Sequence, residues 1–509
     1  MYDKFVFSTG LRPTNPKIFD NVNGPQKQYD AVIVGSGPNG LSAAIVLARA
    51  GLSVLVLEAK PIIGGGTRSA ELTLPGFVHD MGSAIHPLAA GSPLFQQLPL
   101  DQHGLEFIYP PVAAAHPFDG GRAALLTGSV DDTAKTLGVG VRPSDEHAYR
   151  KLLNPIVQHW STLAPDLLGP LRWPNHPLDL AQFGLDAILP ATQLAKRFQT
   201  TEARGLLAGM AAHSIQPLTN LTTSAVALVL MAAGHHRGWP MPKGGSQAIA
   251  NALASYLRSL GGEIETERTI KSLSDLPKAR TVLFDLTPKQ LLQIVGDKFS
   301  PHYRAQLSNY RYGPGIFKID WALDGPIPFT APGCEQAGTV HLGGTLEEIV
   351  MAEQQTFDQK HPDRPYVLLA QQSRFDSTRA PAGKHTGWAY CHVPNGSTLD
   401  MTKHIERQVE RFAPGFRDRI LARHTMNTAQ IEAWNPNYVG GDINGGILDW
   451  RQLFTRPTLS LSPYKTGAAG IYICSSATPP GGGVHGMCGY HAARVALRNS
   501  FGKEVPILI

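Results

Sequence analysis

Gly35, Gly37 and Gly40 stand in the spacing G-x-G-x-x-G, and Glu58 follows 23 residues after the first of them. Each residue type has chemistry to do at that spacing. Gly35 permits a tight turn, Gly37 lets backbone approach a pyrophosphate, and Gly40 lets a helix pack closely on a strand. Pro38 and Asn39 complete the turn, and the helix start behind it offers free N–H groups and partial positive charge to the same anion. Glu58 can accept both ribose hydroxyls of an adenosine, which favours NAD or FAD over NADP. A second glycine turn, Gly64-Gly65-Gly66-Thr67-Arg68, places Arg68 ten residues beyond Glu58. That suits a dinucleotide whose pyrophosphate continues past the first site. A third turn carries Asp80, Gly82 and Ser83.

These residues need a scaffold, and the neighbouring sequence supplies one. Residues 31–34 are a short branched apolar run, which reads as a buried parallel strand. Good helix formers follow from 41 to 50, Gly51 stops them, and a second apolar strand at 53–57 leads into Glu58. A bare glycine pattern says little; strand, turn, helix, strand and acid together are the context the motif demands. Towards the other end, the apolar strand 471–474 leads through Gly481-Gly482-Gly483 to a helix from about 487 to 499. A glycine-rich bend brings backbone close to a ligand, and a helix start points positive charge at it. Between them, 241–270 reads as a glycine turn, an amphipathic helix and a strand from Glu263. A further strand near 281–286 precedes Thr287-Pro288.

On these residues the chain resembles the superfamily of flavin-dependent amine oxidases and carotenoid desaturases. Within it, the likeness is to the phytoene desaturase-related FAD-dependent oxidoreductases, the phytoene dehydrogenase-like proteins. It is carried by Glu58 with Gly65-Gly66-x-Arg68, by the segment 470–497, by NPNYVGGDINGG at 435–446 and by QLFTRP at 452–457. It runs from about Tyr29 through nearly the whole chain. The resemblance implies FAD as cofactor and an α/β fold with a discontinuous Rossmann-like FAD-binding domain at 28–105, 236–300 and 460–509. An α+β substrate domain at 106–235 and 301–459 completes it, helical in its first half. Strand-like runs near 316–323, 366–371 and 387–393 suit an antiparallel sheet over the flavin. The resemblance also implies that Gly483, Val484, His485, Gly486 and Met487 line the flavin. Residues 1–27, with four basic and two acidic side chains, form an extension that could reach a partner subunit.

Several side chains admit a chemical and a plain reading. His485, inside the flavin-facing turn, is the one catalytic candidate, as a hydrogen-bond donor or proton carrier; the plain reading is a helix-capping histidine. Cys488 could tether the flavin, although a buried cysteine is more often a small hydrophobe. His235 and His236 are adjacent, so they do not share a helix face, and no metal site is expected. Arg374, Asp376 and the Pro381–Lys384 turn read as a loop of the substrate sheet. Trp239, Tyr390 and Trp434 could line an aromatic channel or be ordinary core. Tyr490 alone does not make the aromatic cage of an amine oxidase.

Composition narrows the partners. Hydrophobic residues make up 42% of the 509 and charged residues 17%, so a large core is within reach. The net charge of +5 is spread without a Lys/Arg run, which argues against a nucleic-acid surface. The four cysteines form no C-x-x-C pair, as expected in a reducing, cytoplasmic setting. No secretory signal is expected. The apolar run 225–233 is far short of the roughly 20 residues that span a bilayer, leaving peripheral membrane contact as the only membrane role expected. The combined expectation is hydride transfer between flavin and an apolar, unsaturated substrate (polyene, isoprenoid or lipid-like), with oxygen or quinone as re-oxidant. The alternatives are a redox-neutral polyene or fatty-acid isomerase, an amine oxidase, and a flavin-bound interaction protein with little turnover.

Overall fold

The computed structural model describes residues 27–137 and 143–505; the extension before Lys27 lies outside them. Two sheets organise the chain. The first is parallel throughout, in the order Ile471–Ile473, Ala279–Phe284, Tyr29–Val34, Val54–Leu57, Glu263–Glu265. Its strands come from three distant stretches of sequence. Ile33 sits opposite Val56 on one side and Leu283 on the other, and Leu283 opposite Tyr472. Both faces are covered, as a parallel sheet requires. Ala31, Ile33, Val56 and Leu283 pack into a core shared with helices Pro38–Arg49, Gln247–Ser259 and Met487–Ala496. Val32, Val34, Leu55 and Phe284 pack against Leu291, Val295 and Leu307 on the other side.

The second sheet has seven strands, ordered Ile420–Met426, Gly315–Leu323, His385–Val393, Val367–Ala370, Ala337–Leu342, Val112–Phe118, Arg122–Thr127. It is mixed, not purely antiparallel, because Ala337–Leu342 runs parallel to Val112–Phe118. One face carries Phe317, Ile319, Val367, Leu369, Ala389 and Cys391 against Ile405, Val409 and Phe412 of helix Thr402–Phe412. The alternating residues Ile316, Leu368, Trp388 and Tyr390 face the other way, toward the parallel sheet's loops.

The helical first half expected for 106–235 needs correction. The stretch opens with the hairpin Val112–Phe118 and Arg122–Thr127, and helices follow from Val130–Leu137 to Thr223–Arg237. Residues 112–118 read VAAAHPF, poor in strand formers, yet all seven are buried. Pairing on both edges overrides propensity there, as is common in sheets. No helix among the described residues is long and apolar enough to cross a membrane.

Candidate functional site

A cavity of about 410 Å³ is lined from both sheets. One end is built by the parallel sheet's glycine turns and the other by the inward face of the seven-stranded sheet.

At the first end, Gly35, Gly37, Pro38, Asn39, Glu58, Gly65, Gly66, Arg68, Gly82, Ser83, Gly483 and Val484 all line the cavity. Helix Pro38–Arg49 begins there with no side-chain cap and no acid in its first turn. Its start carries positive potential toward the cavity, with Gly40 N taken by Asp285 Oδ2 and no cap from its own first residues. Glu58 Oε2 accepts from Ser36 N at 3.0 Å and Ser36 Oγ at 2.6 Å, while Oε1 accepts from Lys60 N at 2.9 Å. The carboxylate is thereby fixed at the strand end with lone pairs left for a ligand. Arg68 is held by Nε to the Gly65 carbonyl and by Nη2 to the Trp434 carbonyl, with its guanidinium 4.8 Å from the Trp434 ring centroid. Burial pulls its pKa down and the charge of Glu58 pushes it back up.

The glycines are required by contact. A Cβ on Gly40 would lie 2.1 Å from the Gly35 carbonyl oxygen, on Gly66 2.1 Å from the Tyr438 hydroxyl, and on Gly82 2.3 Å from the Gly66 carbonyl. Gly40 accordingly does not line the cavity; it lets helix and strand meet. Asp285, at the end of Ala279–Phe284, packs against all three motif glycines, and its Oδ2 accepts from Gly40 N at 3.0 Å. Burial raises its carboxyl well above the usual range. A raised pKa lessens the like-charge repulsion that a carboxyl beside an anion site would bring.

His485 does not face the cavity, and neither does Met487. His485 Nδ1 accepts from Met487 N at 3.0 Å and its carbonyl accepts from Ser92 Oγ at 2.7 Å, so it starts the final helix. Burial lowers its pKa to about 4. The glycine bend turns the chain away after Val484, which is why sequence proximity to Gly483 misleads. Gly486 packs on Ser42 and Phe95, and Gly489 on the Asn39 carbonyl, so the helix start seats on the first helix. Cys488 is buried, its thiol directed at the carbonyls of Thr478 and Gly481 and its pKa raised to about 11 by burial. A reactive thiolate is absent there. His235 is engaged by Tyr149 Oη at 2.7 Å, and the described residues hold no group of three or more metal-ligating side chains.

Trp239, Tyr390 and Trp434 do line the cavity, joined by Trp388. The far end is formed by His213, Ile215, Leu230, Trp239, Ile316, Leu368, Trp388 and Tyr390. Ile215 has φ +50°, rare for a β-branched residue; such strain costs ~1–3 kcal/mol and persists where surrounding contacts impose it. Beneath Trp388, Lys318 Nζ lies 5.8 Å from the indole centroid and pairs with Asp320. Burial lowers the Lys318 pKa against the pull of Asp320.

A buried clamp joins the two ends. Arg379 bonds Asp80 Oδ2 at 2.9 Å and Asp376 Oδ2 at 3.1 Å. Asp80 Oδ1 accepts from Ser246 N, and Asp376 Oδ2 from Gly244 N, both at 2.7 Å. Burial opposes ionisation of Asp80, but the Arg379 charge and its hydrogen bonds hold the pKa below normal. Asp376 and Arg379 thus fix the Gly244-Gly245 turn. Sequence reasoning missed Asp285, Lys318, Arg379 and His213, because each takes its place at or behind the cavity wall through contacts distant in sequence.

These residues fit FAD. They offer an uncapped helix start, glycine turns that admit a close approach, an acid at the ribose position and an arginine beyond it. The Asn39 side-chain carbonyl is also buried without a partner. The fold and the site define an FAD-dependent oxidoreductase of α/β architecture. The family model described as flavin containing amine oxidoreductase matches residues 39–291, the stretch that carries the second and third glycine turns and two of the parallel strands that follow. The chain is 26% identical to pyridine nucleotide-disulfide oxidoreductase domain-containing protein 2 of Rattus norvegicus, over 96% of each chain. It is 22% identical to a limonene dehydrogenase chain of Castellaniella defragrans, over 93% of this chain and 95% of that one. Among solved structures, cyclohexylamine oxidase from Brevibacterium oxydans superposes with a TM-score of 0.57 at 18% identity, covering 93% and 98% of the two chains.

Proposed function

We propose that the chain transfers a hydride between an apolar, unsaturated, isoprenoid- or lipid-like substrate and bound FAD, with oxygen or quinone as re-oxidant, in the manner of phytoene desaturase-related proteins. One observation carries this reading. Among the described residues no Asp or Glu lines the far end of the cavity; Glu58 and Asp285, its only lining carboxyls, belong to the glycine-turn end. A substrate ammonium buried at the far end would lack a counter-charge, a costly arrangement. An apolar chain packed on Trp239, Trp388, Leu368 and Ile316 would gain about 25 cal/mol per Å² buried. The relative named as a limonene dehydrogenase supports the same substrate class.

FAD, when bound, supplies a two-electron acceptor for the hydride. The chain's residues do the rest. Gly35, Gly37, Arg68 and Glu58 would hold the dinucleotide, Leu88 and Val484 add apolar lining, and the indoles of Trp239 and Trp388 would align the substrate and exclude water. The test is the visible spectrum of purified protein, followed by acid precipitation and anaerobic mixing with unsaturated isoprenoids and with primary amines. We expect a flavin band released by acid as free FAD and bleached by isoprenoids. Bleaching by amines alone overturns the reading. Isomer interconversion without bleaching marks a redox-neutral isomerase instead.

A further inference from the structure

The far end of the cavity is mostly apolar, with polar groups from Trp239, Trp388, Thr339, His213 and Tyr390, and His86 nearby. Trp239 Nε1 donates to Thr339 Oγ1 at 3.0 Å, and Trp388 Nε1 to the Asp80 carbonyl at 2.9 Å, so both indole N–H groups are engaged within the protein. His213 and Tyr390 differ. His213 Nε2 pairs with His341 Nε2 at 3.1 Å, which leaves Nδ1 without a protein partner among the described residues. Tyr390 is only 6% exposed, and its hydroxyl likewise has no partner among the described residues. Both residues line the cavity, so these two polar groups are open to a ligand there.

An ordered array stands behind His213. Its ring centroid is 5.1 Å from that of His341 on Ala337–Leu342, which is 6.5 Å from His116 on the adjacent strand Val112–Phe118. His116 Nε2 donates to the Gly344 carbonyl at 2.7 Å. Nearby carboxylates are committed elsewhere: Glu353 to His392 Nδ1 at 2.8 Å, and Glu348 to Thr345 N and Arg411. Burial lowers the pKa of His116 to about 4 and of His213 to about 3, and drives His341 well below normal, so the array is neutral near pH 7. A neutral imidazole offers one donor and one acceptor, and a phenol can act as either.

We infer that the substrate bears a neutral oxygen function, hydroxyl or carbonyl, on its apolar body, bound by His213 Nδ1 and Tyr390 Oη with His341 as the positioning residue. The inference rests on the apolar, unsaturated substrate proposed above. Farnesol, β-farnesene and farnesylamine share a C15 skeleton and differ in that one feature. Binding is read on the FAD-loaded protein as the ligand-induced rise in Tm and as perturbation of the visible band. Farnesol is expected to bind at least about tenfold more tightly than β-farnesene, the range of one buried hydrogen bond. Tyr390→Phe and His213→Leu should each weaken farnesol about tenfold relative to β-farnesene. His341→Phe should abolish the farnesol preference, while His341→Gln, which can still hydrogen-bond His213, should keep it. Equal binding of farnesol and β-farnesene, unaltered in these variants, overturns the inference and leaves the apolar reading intact. Tighter binding of farnesylamine reassigns the two atoms to an amine and overturns it too. If none of the three binds, the apolar reading falls and the inference with it.

Discussion

The two ends of the cavity are built by opposite means. At the glycine-turn end the walls are backbone, fixed carboxyls and a guanidinium, and contact distances leave no room for a Cβ at Gly40, Gly66 or Gly82. At the far end the walls are indole, phenol, aliphatic and imidazole groups, none charged near neutrality. The first suits an anionic cofactor that stays in place, and the second an uncharged substrate that must leave again. The contrast shows that polarity is graded along one cavity, with the Asp80–Arg379–Asp376 clamp at the seam.

The comparison breaks most completely at Gly40. Gly40→Val would drive a side chain into the Gly35 carbonyl, and the purified variant should carry no flavin, measured as the ratio of visible to ultraviolet absorbance. Gly51→Ala is the control, since nothing lies within 4 Å of its Cβ. Its φ of +79° should cost about 1 kcal/mol of stability while flavin is retained.

Acid is the next probe. His79, His86, His116, His235 and His485 have pKa values lowered to about 4, and His213 and His491 to about 3, all chiefly by burial, against an ordinary value of 6.5. Between those values the unfolded chain binds protons that the folded chain refuses. Stability is therefore fully present above about pH 6.5 and is lost as pH falls toward 4, by up to about 3 kcal/mol per imidazole. Tm should decline steeply across that window, and a flat profile would contradict the neutral far end. The smallest effect sharpens the cofactor end. Glu58→Gln removes a charge but keeps an acceptor, so FAD affinity, measured by titrating flavin-depleted protein, should weaken about tenfold.

The glycine-turn end was legible because its signal is local. Gly35 to Glu58 lie within one strand–turn–helix–strand unit, and chain spacing there is nearly spatial spacing. The far end was only partly legible. The strands holding Ile316, Leu368 and Tyr390 were visible as apolar runs, but that Trp239 and Tyr390 face a cavity depends on pairing between strands far apart in sequence. Val112–Phe118 hid because alanine-rich sequence joins a sheet when both edges are paired. His485 misled for the converse reason: two residues beyond a lining glycine, the chain had already turned into a helix.

The order of the strands also sets when the site can exist during synthesis. Val34 pairs with Phe284, and Phe284 with Ile473, so the parallel sheet gains its last strand only when most of the chain has left the ribosome. Until then Ala279–Phe284 presents an open apolar edge, the kind of surface that invites pairing with other chains. A stall or truncation ahead of Ile471 would leave the glycine turns translated yet without the segment carrying Gly483 and Val484. Flavin available at the moment of release would bind the completed sheet alone, and so act as a folding aid as well as a cofactor.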